Sequence, residues 1–376
     1  MKTCPNCGAE YPDTTTLCPS DGVALEKTGD SLLGQVLAGK YRMDERLNEG
    51  GMGAVYRGTH VLMDKTVAVK VLRPALAADE NIVARFSREA RAASRISHPH
   101  ALSVTDFGES EDGVVFLVME YLDGKTLKEI IREVGPMPLP RVVEIIRQVG
   151  GALDAAHDQG VVHRDLKSEN IMLLNSAGPD YAKVLDFGIA KIKEPFGTYD
   201  PGLTAPNLVI GTPQYMSPEQ CSQASEIDAR SDLYSLGVII YEMLVGHVPF
   251  TGPSPTAIMM QHLQEEASSV LQERPDLPPS VERVVRRALA KRPEDRYQHV
   301  GDLVDDLTVA GGMPASTVTP VPTPSASHRI VVPTHSTAEG AASEPDEETA
   351  VRPRVEHGTP PSVAARTNEM YPPAAR

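Results

Sequence analysis

Two short segments of the 376-residue chain carry side chains that together could move a phosphoryl group. "VVHRDLKSENIML" contains Asp165, Lys167 and Asn170, and "KVLDFGIAK" contains Asp186. Mg²⁺ takes oxygen ligands, usually one or two carboxylates plus substrate phosphates, and Asp186 with Asn170 fits that use. Asp165 is then free to orient a hydroxyl and accept its proton, while Lys167 neutralises charge on the group in transfer.

Lys70 and Glu89 are charged residues in apolar surroundings. Lys70 lies in "VAVK", in the middle of a strand-like segment, and Glu89 shares a helical face with Phe86 and Ala93. A buried carboxylate without a partner is costly. We therefore expect Lys70 and Glu89 to pair, which would aim the lysine at phosphate oxygens.

The segment 47–58, "LNEGGMGAVYRG", contains Gly50, Gly51 and Gly53. Taken alone it fits a working phosphate cover, a degraded one or a flexible turn, because glycine clusters are mostly turns. Asn48 stands where a phosphate-covering loop carries its first glycine. Asparagine adopts positive φ more readily than other non-glycine residues, so we expect the turn to survive.

Strand-like and helix-like segments alternate between about residues 41 and 309. "YRMDERLNEG" and "GAVYRGTH" predict a hairpin around the glycine loop, and "KTVAVKVLR" alternates with a period of two. "ADENIVARFSREARAASRIS" and "RVVEIIRQVGGALDAAHDQG" predict helices, with "VVFLVMEYL" as a buried strand between them. Helices dominate from there to residue 307. The fold class is therefore α+β, with a small strand-rich lobe, a larger helical lobe and a cleft between them.

The motifs "VAVK", "HRDLKSEN", "DFG" and "SPE" occur in the order and spacing of protein kinases. Residues 41 to about 307 resemble that fold, and "GGMGAVY", "GTPQYMSPEQ" and "SDLYSLG" resemble the eukaryotic-like serine/threonine kinases of bacteria. Each motif alone could arise by chance. Together and in order they predict the bilobal protein kinase fold, in a domain bounded at 41–309.

The resemblance implies ATP as cosubstrate, with Mg²⁺ as the metal and Mn²⁺ as its alternative. It implies catalytic roles for Asp165, Lys167, Lys70 and Glu89, and metal ligation by Asn170 and Asp186. Met119 falls at the gatekeeper position. The nucleotide site would comprise Leu47, Asn48, Glu49, Gly50, Gly51, Met52, Gly53, Val55, Ala68, Lys70, Glu120, Leu122, Asn170 and Asp186.

Other positions are implied to support the site. His163 and Arg164 would support the catalytic loop, Asp232 would brace it from a buried helix, and Phe187 and Gly188 would set the position of Asp186. Glu219 would pair with Arg296; the alternative is a surface ion pair, worth ~0–1 kcal/mol.

Serine/threonine specificity follows from Lys167, two residues after Asp165, and from Thr212 in "GTPQYMSPE". The resemblance also implies autophosphorylation between about residues 189 and 216, with Thr204 as the first candidate and Thr198 as the second. A phosphate there would dock on Arg164; the alternative is that these hydroxyls are simply solvated. Two other readings of the domain stay open, a catalytically dead scaffold and a small-molecule phosphotransferase.

"CPNCGAEYPDTTTLCPSDG" near the start has the form of two metal knuckles. Cys4, Cys7, Cys18 and Asp21 would complete the four ligands of a structural Zn²⁺ in a zinc-ribbon-like segment over residues 1–30. A disulfide with one spare thiol and unmetallated thiols are the alternatives. Cys221, far downstream, is expected to be a packing residue.

The formal charge of −15 argues against nucleic acid or an anionic membrane as partner. No segment has the apolar length of a membrane span or the layout of a signal peptide, so we expect a cytoplasmic protein. Residues 310–376 are rich in Pro, Ser, Thr and Ala and are expected to be disordered. The expected partners are protein substrates with Ser or Thr, and regulatory input would come through the ribbon, the tail, a partner protein or a homodimer.

Overall fold

The computed structural model describes most of residues 2–313. The description leaves out 5, 8, 13, 25, 28–31, 176–177, 179, 188–212, 225–226 and everything from 314 onward. Gly188, Thr198, Thr204, Thr212 and the tail therefore lie outside the described residues.

The elements follow one another in the order expected for a strand-rich lobe ahead of a helical one. The strands are β1 (Lys2–Thr3), β2 (Glu10–Tyr11), β3 (Glu26–Lys27), β4 (Val36–Leu37), β5 (Tyr41–Glu49), β6 (Gly53–His60), β7 (Lys65–Leu72), β8 (Val104–Glu109), β9 (Val115–Glu120), β10 (Gly124–Thr126), β11 (Ile171–Leu174) and β12 (Tyr181–Val184). The α-helices are α1 (Pro74–Ala77), α2 (Glu80–Ala93), α3 (Leu127–Val134), α4 (Leu139–His157), α5 (Pro218–Cys221), α6 (Ala229–Val245), α7 (Pro255–Gln264), α8 (Val270–Glu273), α9 (Pro279–Ala288) and α10 (Val300–Ala310), with 3₁₀ turns at Ser168–Asn170, Pro213–Tyr215 and Pro293–Asp295.

The small lobe is built on an antiparallel sheet in the order β4-β5-β6-β7-β9-β8. Side chains alternate between the two faces of a strand, and in β7 both faces are largely buried. Val67, Val69 and Val71 pack into one apolar cluster with Tyr56 and neighbouring residues. Ala68 and Lys70 point to the other face, where the register pairs Lys70 with Val55 and with Leu117. The sheet therefore presents Lys70 beside the strand that follows the glycine loop.

Helix α2 packs against the lobe through Phe86, Ala90 and Ala93, which are all buried. Asp79 caps its first turn by accepting hydrogen bonds from the backbone N–H groups of Asn81 and Ile82. This is the preferred chemistry for a helix N-terminus, where the N–H groups lack partners within the helix. The helix begins two residues after the start of the predicted segment, but it ends at Ala93, four residues before the predicted end, so Ile96 lies beyond it.

The large lobe surrounds α6, in which all residues except Ala229 and Arg230 are buried. A helix that is apolar on every side belongs inside a core. Helices α4, α9 and α10 pack together around that core, and Gly237 of α6 leaves room for Ala288 of α9. The predicted α+β, two-lobed fold is confirmed.

A second sheet, β10-β11-β12, joins the functional loops. Strands β11 and β12 pair antiparallel from Ile171 and Val184. Asn170 directly precedes β11, and Leu185 and Asp186 directly follow β12. The hairpin therefore brings together two loops that are far apart in the sequence.

The N-terminal segment forms a short antiparallel sheet in the order β2-β1-β3. Its buried centre contains Cys4 and Cys18, packed by Tyr11 and Val23. Within the described part of the chain, no helix has the length and apolar character needed to cross a membrane.

Candidate active site

The loop that follows α4 is anchored from beneath by Asp232 of α6, whose side chain is 1% exposed. One carboxylate oxygen accepts the backbone N–H of His163 at 2.8 Å, and the other accepts that of Arg164 at 2.8 Å. His157 adds a ring nitrogen at 2.8 Å from the same carboxylate. These bonds hold Arg164 at a φ of +63°, a strained value for a non-glycine residue. Asp232 thus braces the loop as expected, and His157 is a support that the sequence did not reveal.

Asp165, Lys167 and Asn170 converge on the cleft side of this loop. Lys167 Nζ lies 3.0 Å from Asp165 Oδ2. Asn170 Nδ2 donates to the backbone carbonyl of Asp165 at 2.9 Å. All three side chains are partly exposed, so a substrate hydroxyl could reach the carboxylate.

Asp186 lies against this cluster because Leu185 N–H donates to the carbonyl of Asn170 at 2.8 Å. Its carboxylate accepts a 2.9 Å hydrogen bond from Lys70 Nζ. Burial opposes the charged form, yet Lys70 holds the pKa of Asp186 below its ordinary value. Phe187 is buried with its ring centroid 5.2 Å from that of His163, which fixes the turn after Asp186. Lys70 and Asp186 are thereby joined across the two lobes.

Glu89 departs from the sequence prediction, because the structure pairs Lys70 with Asp186 instead. Glu89 Oε2 is buried and has no hydrogen-bond partner among the described residues. Burial raises the pKa of Glu89, against the opposing charges of Arg164, Arg88, Arg85 and Lys70. The physical reason is competition, since Lys70 carries one charge and Asp186 holds it directly. The sequence shows which residues can pair but not which of two carboxylates occupies the lysine.

The oxygen atoms that face the cleft suit a hard divalent cation. Asn170 uses its amide nitrogen on Asp165, which leaves its side-chain oxygen available. Asp186 uses Oδ2 on Lys70, which leaves Oδ1. One carboxylate and one amide oxygen beside phosphate oxygens are the donors that Mg²⁺ accepts.

A separate apolar cluster lines the cleft beside Lys70. It joins residues expected to contact the adenine with two that the sequence did not single out, Leu102 and Leu185. Its members are Val55, Ala68, Leu102, Met119, Leu122 and Leu185. The sheet register explains the grouping, because Ala68 pairs with Met119. Leu102 belongs to this cluster because its backbone N–H donates a hydrogen bond to the carbonyl of Val184, the residue before Leu185.

Glu120, at the connection between the lobes, is fixed by its side chain. It accepts hydrogen bonds from the backbone N–H of Ser103 at 2.8 Å and from Lys183 Nζ at 2.5 Å. Within the described residues, the backbone N–H of Leu122 is not engaged in a backbone hydrogen bond. The side-chain bonds of Glu120 hold the connection in place, and the Leu122 side chain packs on the apolar cluster.

The glycine loop differs in detail from its prediction. Asn48 lies in β5 and pairs with Val55, and it does not adopt positive φ. The strand pairing has a register shift between Arg46 and Asn48. The side chain of Asn48 accepts the N–H of Glu49 at 2.7 Å. Gly53 is the sterically required glycine, since a Cβ there would lie 1.8 Å from the Val71 carbonyl oxygen. Gly50 has no atom nearer than 4.0 Å to such a Cβ.

The remaining loop residues surround this turn. Gly51 has open space beside it, and Met52 accepts the N–H of Arg73 at its carbonyl and packs on the core. Glu49 forms ion pairs with Arg46 and Arg73, and Leu47 is exposed. The loop is thus tied to both flanking strands.

Glu219 and Arg296 form the predicted buried pair in the large lobe. Two guanidinium nitrogens of Arg296 each lie 2.8 Å from a Glu219 oxygen, and the arginine side chain is 0% exposed. Arg296 also donates to the carbonyls of Ala290 and Lys291 and stacks on Tyr234. Burial opposes ionisation, but Arg296 keeps the pKa of Glu219 below its ordinary value. The ion pair connects the "SPE" segment, which contains Glu219, to the segment before α10, which contains Arg296.

A second buried hydrogen-bond network, under the catalytic loop, was not predicted from the sequence. Glu242 of α6 accepts from Lys128 Nζ at 2.5 Å and from the Tyr215 hydroxyl at 2.7 Å. Tyr215 in turn lies 2.8 Å from Ser168 Oγ. The signal was available, because a glutamate within "LGVIIYEMLVG" needs a partner once that run is buried.

The N-terminal cysteines gather with Asp21. Cys4 Sγ lies 3.3 Å from Asp21 Oδ2, Cys7 Sγ lies 3.6 Å from Cys18 Sγ, and all four ligand atoms fall within 4.8 Å of one another. Tetrahedral ligands at about 2.3 Å from a zinc ion are separated by about 3.7 Å, so the spacing suits that metal. The cysteines are free thiols, and the 3.6 Å separation is far beyond the ~2.05 Å of a disulfide.

Two lobes joined at a cleft, with these acids, amide and lysines converging there, define a protein kinase. A model of the protein kinase domain family matches residues 41–304, and the chain belongs to that family.

Similar proteins include the serine/threonine-protein kinase pkn3 of Myxococcus xanthus, 49% identical over 271 residues, or 71% of this chain and 49% of that protein. The serine/threonine-protein kinase PknB of Mycobacterium tuberculosis is 41% identical over 274 residues, or 72% of this chain and 43% of that protein. The chain spans about half the length of these curated relatives. The PknI kinase domain of M. tuberculosis matches with a TM-score of 0.59 and 30% identity, covering 75% of this chain and 100% of that one.

Proposed function

We propose that this chain is an active serine/threonine protein kinase that transfers the γ-phosphoryl group of ATP to Ser or Thr hydroxyls of proteins. The observation that carries the proposal is the convergence of Lys70, Asp165, Lys167, Asn170 and Asp186 at one cleft. A dead scaffold usually lacks one of these groups. The kinase names of the relatives support the same reaction.

In the proposed mechanism, the apolar cluster around Ala68 and Met119 receives the adenine, and backbone groups of Glu120 and Leu122 orient it. Lys70 contacts phosphate oxygens. Asp186 and Asn170 would hold Mg²⁺, which supplies charge neutralisation on the phosphates. Asp165 orients the substrate hydroxyl and accepts its proton, and Lys167 stabilises the charge that develops on the transferred group.

We propose that the arrangement described here is a resting one. Catalysis in this family needs the Lys–Glu pair and the metal-holding aspartate at the same time, and activation-loop phosphorylation controls that step. Arg164 is exposed and makes no side-chain ion pair with any described residue. It is thus free to receive a phosphate on Thr204 or Thr198, both outside the described residues. Glu89 would then replace Asp186 as the partner of Lys70.

The ribbon at residues 1–30 is proposed to bind one structural Zn²⁺ through Cys4, Cys7, Cys18 and Asp21. Their spacing and the burial of Cys4 and Cys18 support it. So small a core would draw most of its folding energy from the metal. The ribbon and the tail are proposed contact surfaces for partner proteins. The domain bounds at 41–309, a homodimer and the cytoplasmic location stay predictions.

The test is phosphoamino acid analysis. The purified chain is incubated with Mg²⁺ and labelled ATP in the presence of a protein rich in Ser, Thr and Tyr, beside an Asp186→Asn control. Label in phosphoserine and phosphothreonine, absent from the control, is expected. Label confined to phosphotyrosine or to small molecules, or equal label in the control, would overturn the proposal.

A further inference from the structure

Helix α2 and the turn that follows it carry a stripe of arginines on their solvent side. Arg88, Arg91 and Arg95 are exposed, and they border a depression of about 490 Å³ whose floor is formed by small side chains. The residues lining it are Ala84, Ser87, Arg88, Arg91, Ala92 and Arg95. The small residues allow another chain to approach the helix closely while the guanidinium groups stand around it.

Several exposed or partly exposed arginines elsewhere in the described part of the chain have acidic partners of a kind that these three lack. Within the described residues, none of Arg88, Arg91 and Arg95 forms an ion pair. By contrast, acidic neighbours hold other exposed or partly exposed arginines, as in the pairs Arg230–Asp228, Arg286–Glu282 and Arg292–Glu294. In a chain of net charge −15, these three cations, which have no ion-pair partner among the described residues, form a local reversal of sign.

The use of arginine rather than lysine indicates the chemical class of the ligand. All the basic residues of α2 are arginines, with no lysine. A guanidinium offers a planar fork of donors that matches phosphate in a bidentate way, whereas an ammonium acts as a point charge. We propose that this arginine face is a docking site for a phosphorylated protein segment, held at the small lobe of the kinase. The phosphorylated ligand is a product of the reaction proposed above, so its source rests on that function.

Geometry sets the spacing of the phosphates. Arg88 lies in α2 and Arg95 in the tighter turn that continues it, where the N–H of Arg95 bonds the carbonyl of Ala92, so at ~1.5–2 Å per residue the two are separated by about 10–12 Å along the axis. An extended peptide rises about 3.3 Å per residue, so phosphates three residues apart would meet both arginines. The proposal therefore predicts preference for a doubly phosphorylated segment, and with it recruitment of proteins that have already been modified.

Binding is measured by fluorescence anisotropy with a peptide that carries phosphothreonine at two positions three residues apart. The protein is the full chain with Asp165→Asn and without ATP, so the result does not depend on catalysis. The variant Arg88→Gln/Arg91→Gln is compared with Arg132→Gln/Arg283→Gln, which removes the same charge from exposed positions of the large lobe.

The expected result is binding that weakens at least tenfold in the α2 variant and less than twofold in the control variant. A peptide with aspartate in place of both phosphothreonines should bind at least tenfold more weakly. The proposal is overturned by absence of binding, by equal loss in both variants, or by equal affinity for the aspartate peptide. Unchanged thermal midpoints check that both variants fold.

Discussion

Lys70 and Asp186 are 116 residues apart in the sequence, and their side chains meet at 2.9 Å across the cleft. This contact links the sheet of the small lobe to the loop that follows β12. In this contact Asp186 is the ion-pair partner of the Lys70 ammonium group, with which Glu89 was expected to pair. The activation step proposed above would therefore require Glu89 of α2 to take over the contact with Lys70.

The pH dependence of stability should report the state of Glu89. Burial raises its folded pKa above the unfolded value of about 4.3, so Glu89 costs stability as pH rises through that range. Glu89→Gln should therefore raise the free energy of unfolding at pH 7.5, with the gain shrinking toward pH 4.5. Urea unfolding at several pH values measures this. A pH-independent difference, or a loss at pH 7.5, would contradict the unpaired carboxylate.

The same variant should lose activity despite being more stable. The ion pair proposed between Glu89 and Lys70 in the active state cannot form with an amide, so kcat should fall about tenfold or more. Steady-state peptide phosphorylation under saturating ATP measures it. Wild-type kcat in Glu89→Gln would mean that α2 takes no part in activation.

Two glycines of the nucleotide loop should respond differently to alanine. Gly53→Ala forces a Cβ into the Val71 carbonyl, so β6 must shift away from β7 at a cost of about 1–3 kcal/mol. Gly50→Ala should leave stability nearly unchanged and serves as the matched control; any bulky side chain at Gly50 should act on nucleotide affinity alone. Thermal unfolding and ATP titration separate the two effects. Equal destabilisation by both substitutions would contradict the described loop.

Asn48→Gly addresses the same loop from the strand side. Asn48 lies in β5 beside a register shift and does not adopt positive φ, so glycine there adds backbone freedom to the unfolded chain and relieves no strain. Nucleotide affinity should change less than threefold, with a stability loss of about 0.5–1 kcal/mol. A large gain in kinase activity would instead mean that asparagine compromises the phosphate cover.

The buried Glu219–Arg296 pair should be essential for the large lobe. Arg296→Met leaves a buried carboxylate without its partner, at a cost of about 3–5 kcal/mol. The double variant Glu219→Gln/Arg296→Met should recover part of that loss. Arg292→Met, in an exposed pair four residues earlier, should change the unfolding midpoint very little. If Arg296→Met and Arg292→Met destabilised the protein equally, the difference in burial between the two ion pairs would not determine their contribution to stability.

Zinc content tests the N-terminal ribbon. The full chain should carry one zinc ion, and Cys4→Ser or Cys18→Ser should abolish it, whereas Cys221→Ser, outside the cluster, should retain it. Asp21→Asn should weaken retention against a chelator, because the amide is a poorer ligand. Elemental analysis after dialysis gives the stoichiometry. Metal-free wild-type protein, or retention in Cys4→Ser, would refute the site.

The sequence predicted what local pattern controls and missed what packing decides. The strands around Lys70 and the start of α2 follow from side-chain periodicity, whereas the end of α2 does not, and "HRDLKSEN" with "DFG" predicted the loops that bring Asp165, Asn170 and Asp186 together. The partner of Lys70 did not follow, because two carboxylates compete for it and only tertiary geometry chooses. Leu102 and Leu185 join the adenine-facing cluster through a backbone contact between distant segments, which no periodicity encodes. The sequence shows the arginines of α2 and the turn after it, but not that they lack ion-pair partners among the described residues.

Phosphoryl transfer by the purified chain tests the central claim most directly. Wild type and Asp165→Asn are incubated with Mg²⁺ and labelled ATP, and incorporation into a Ser/Thr peptide is followed in a single turnover. The account predicts that Asp165→Asn slows the transfer by roughly 10²–10⁴-fold, the usual contribution of a positioned base, while ATP affinity stays close to wild type. Equal rates of incorporation in the two proteins would contradict it.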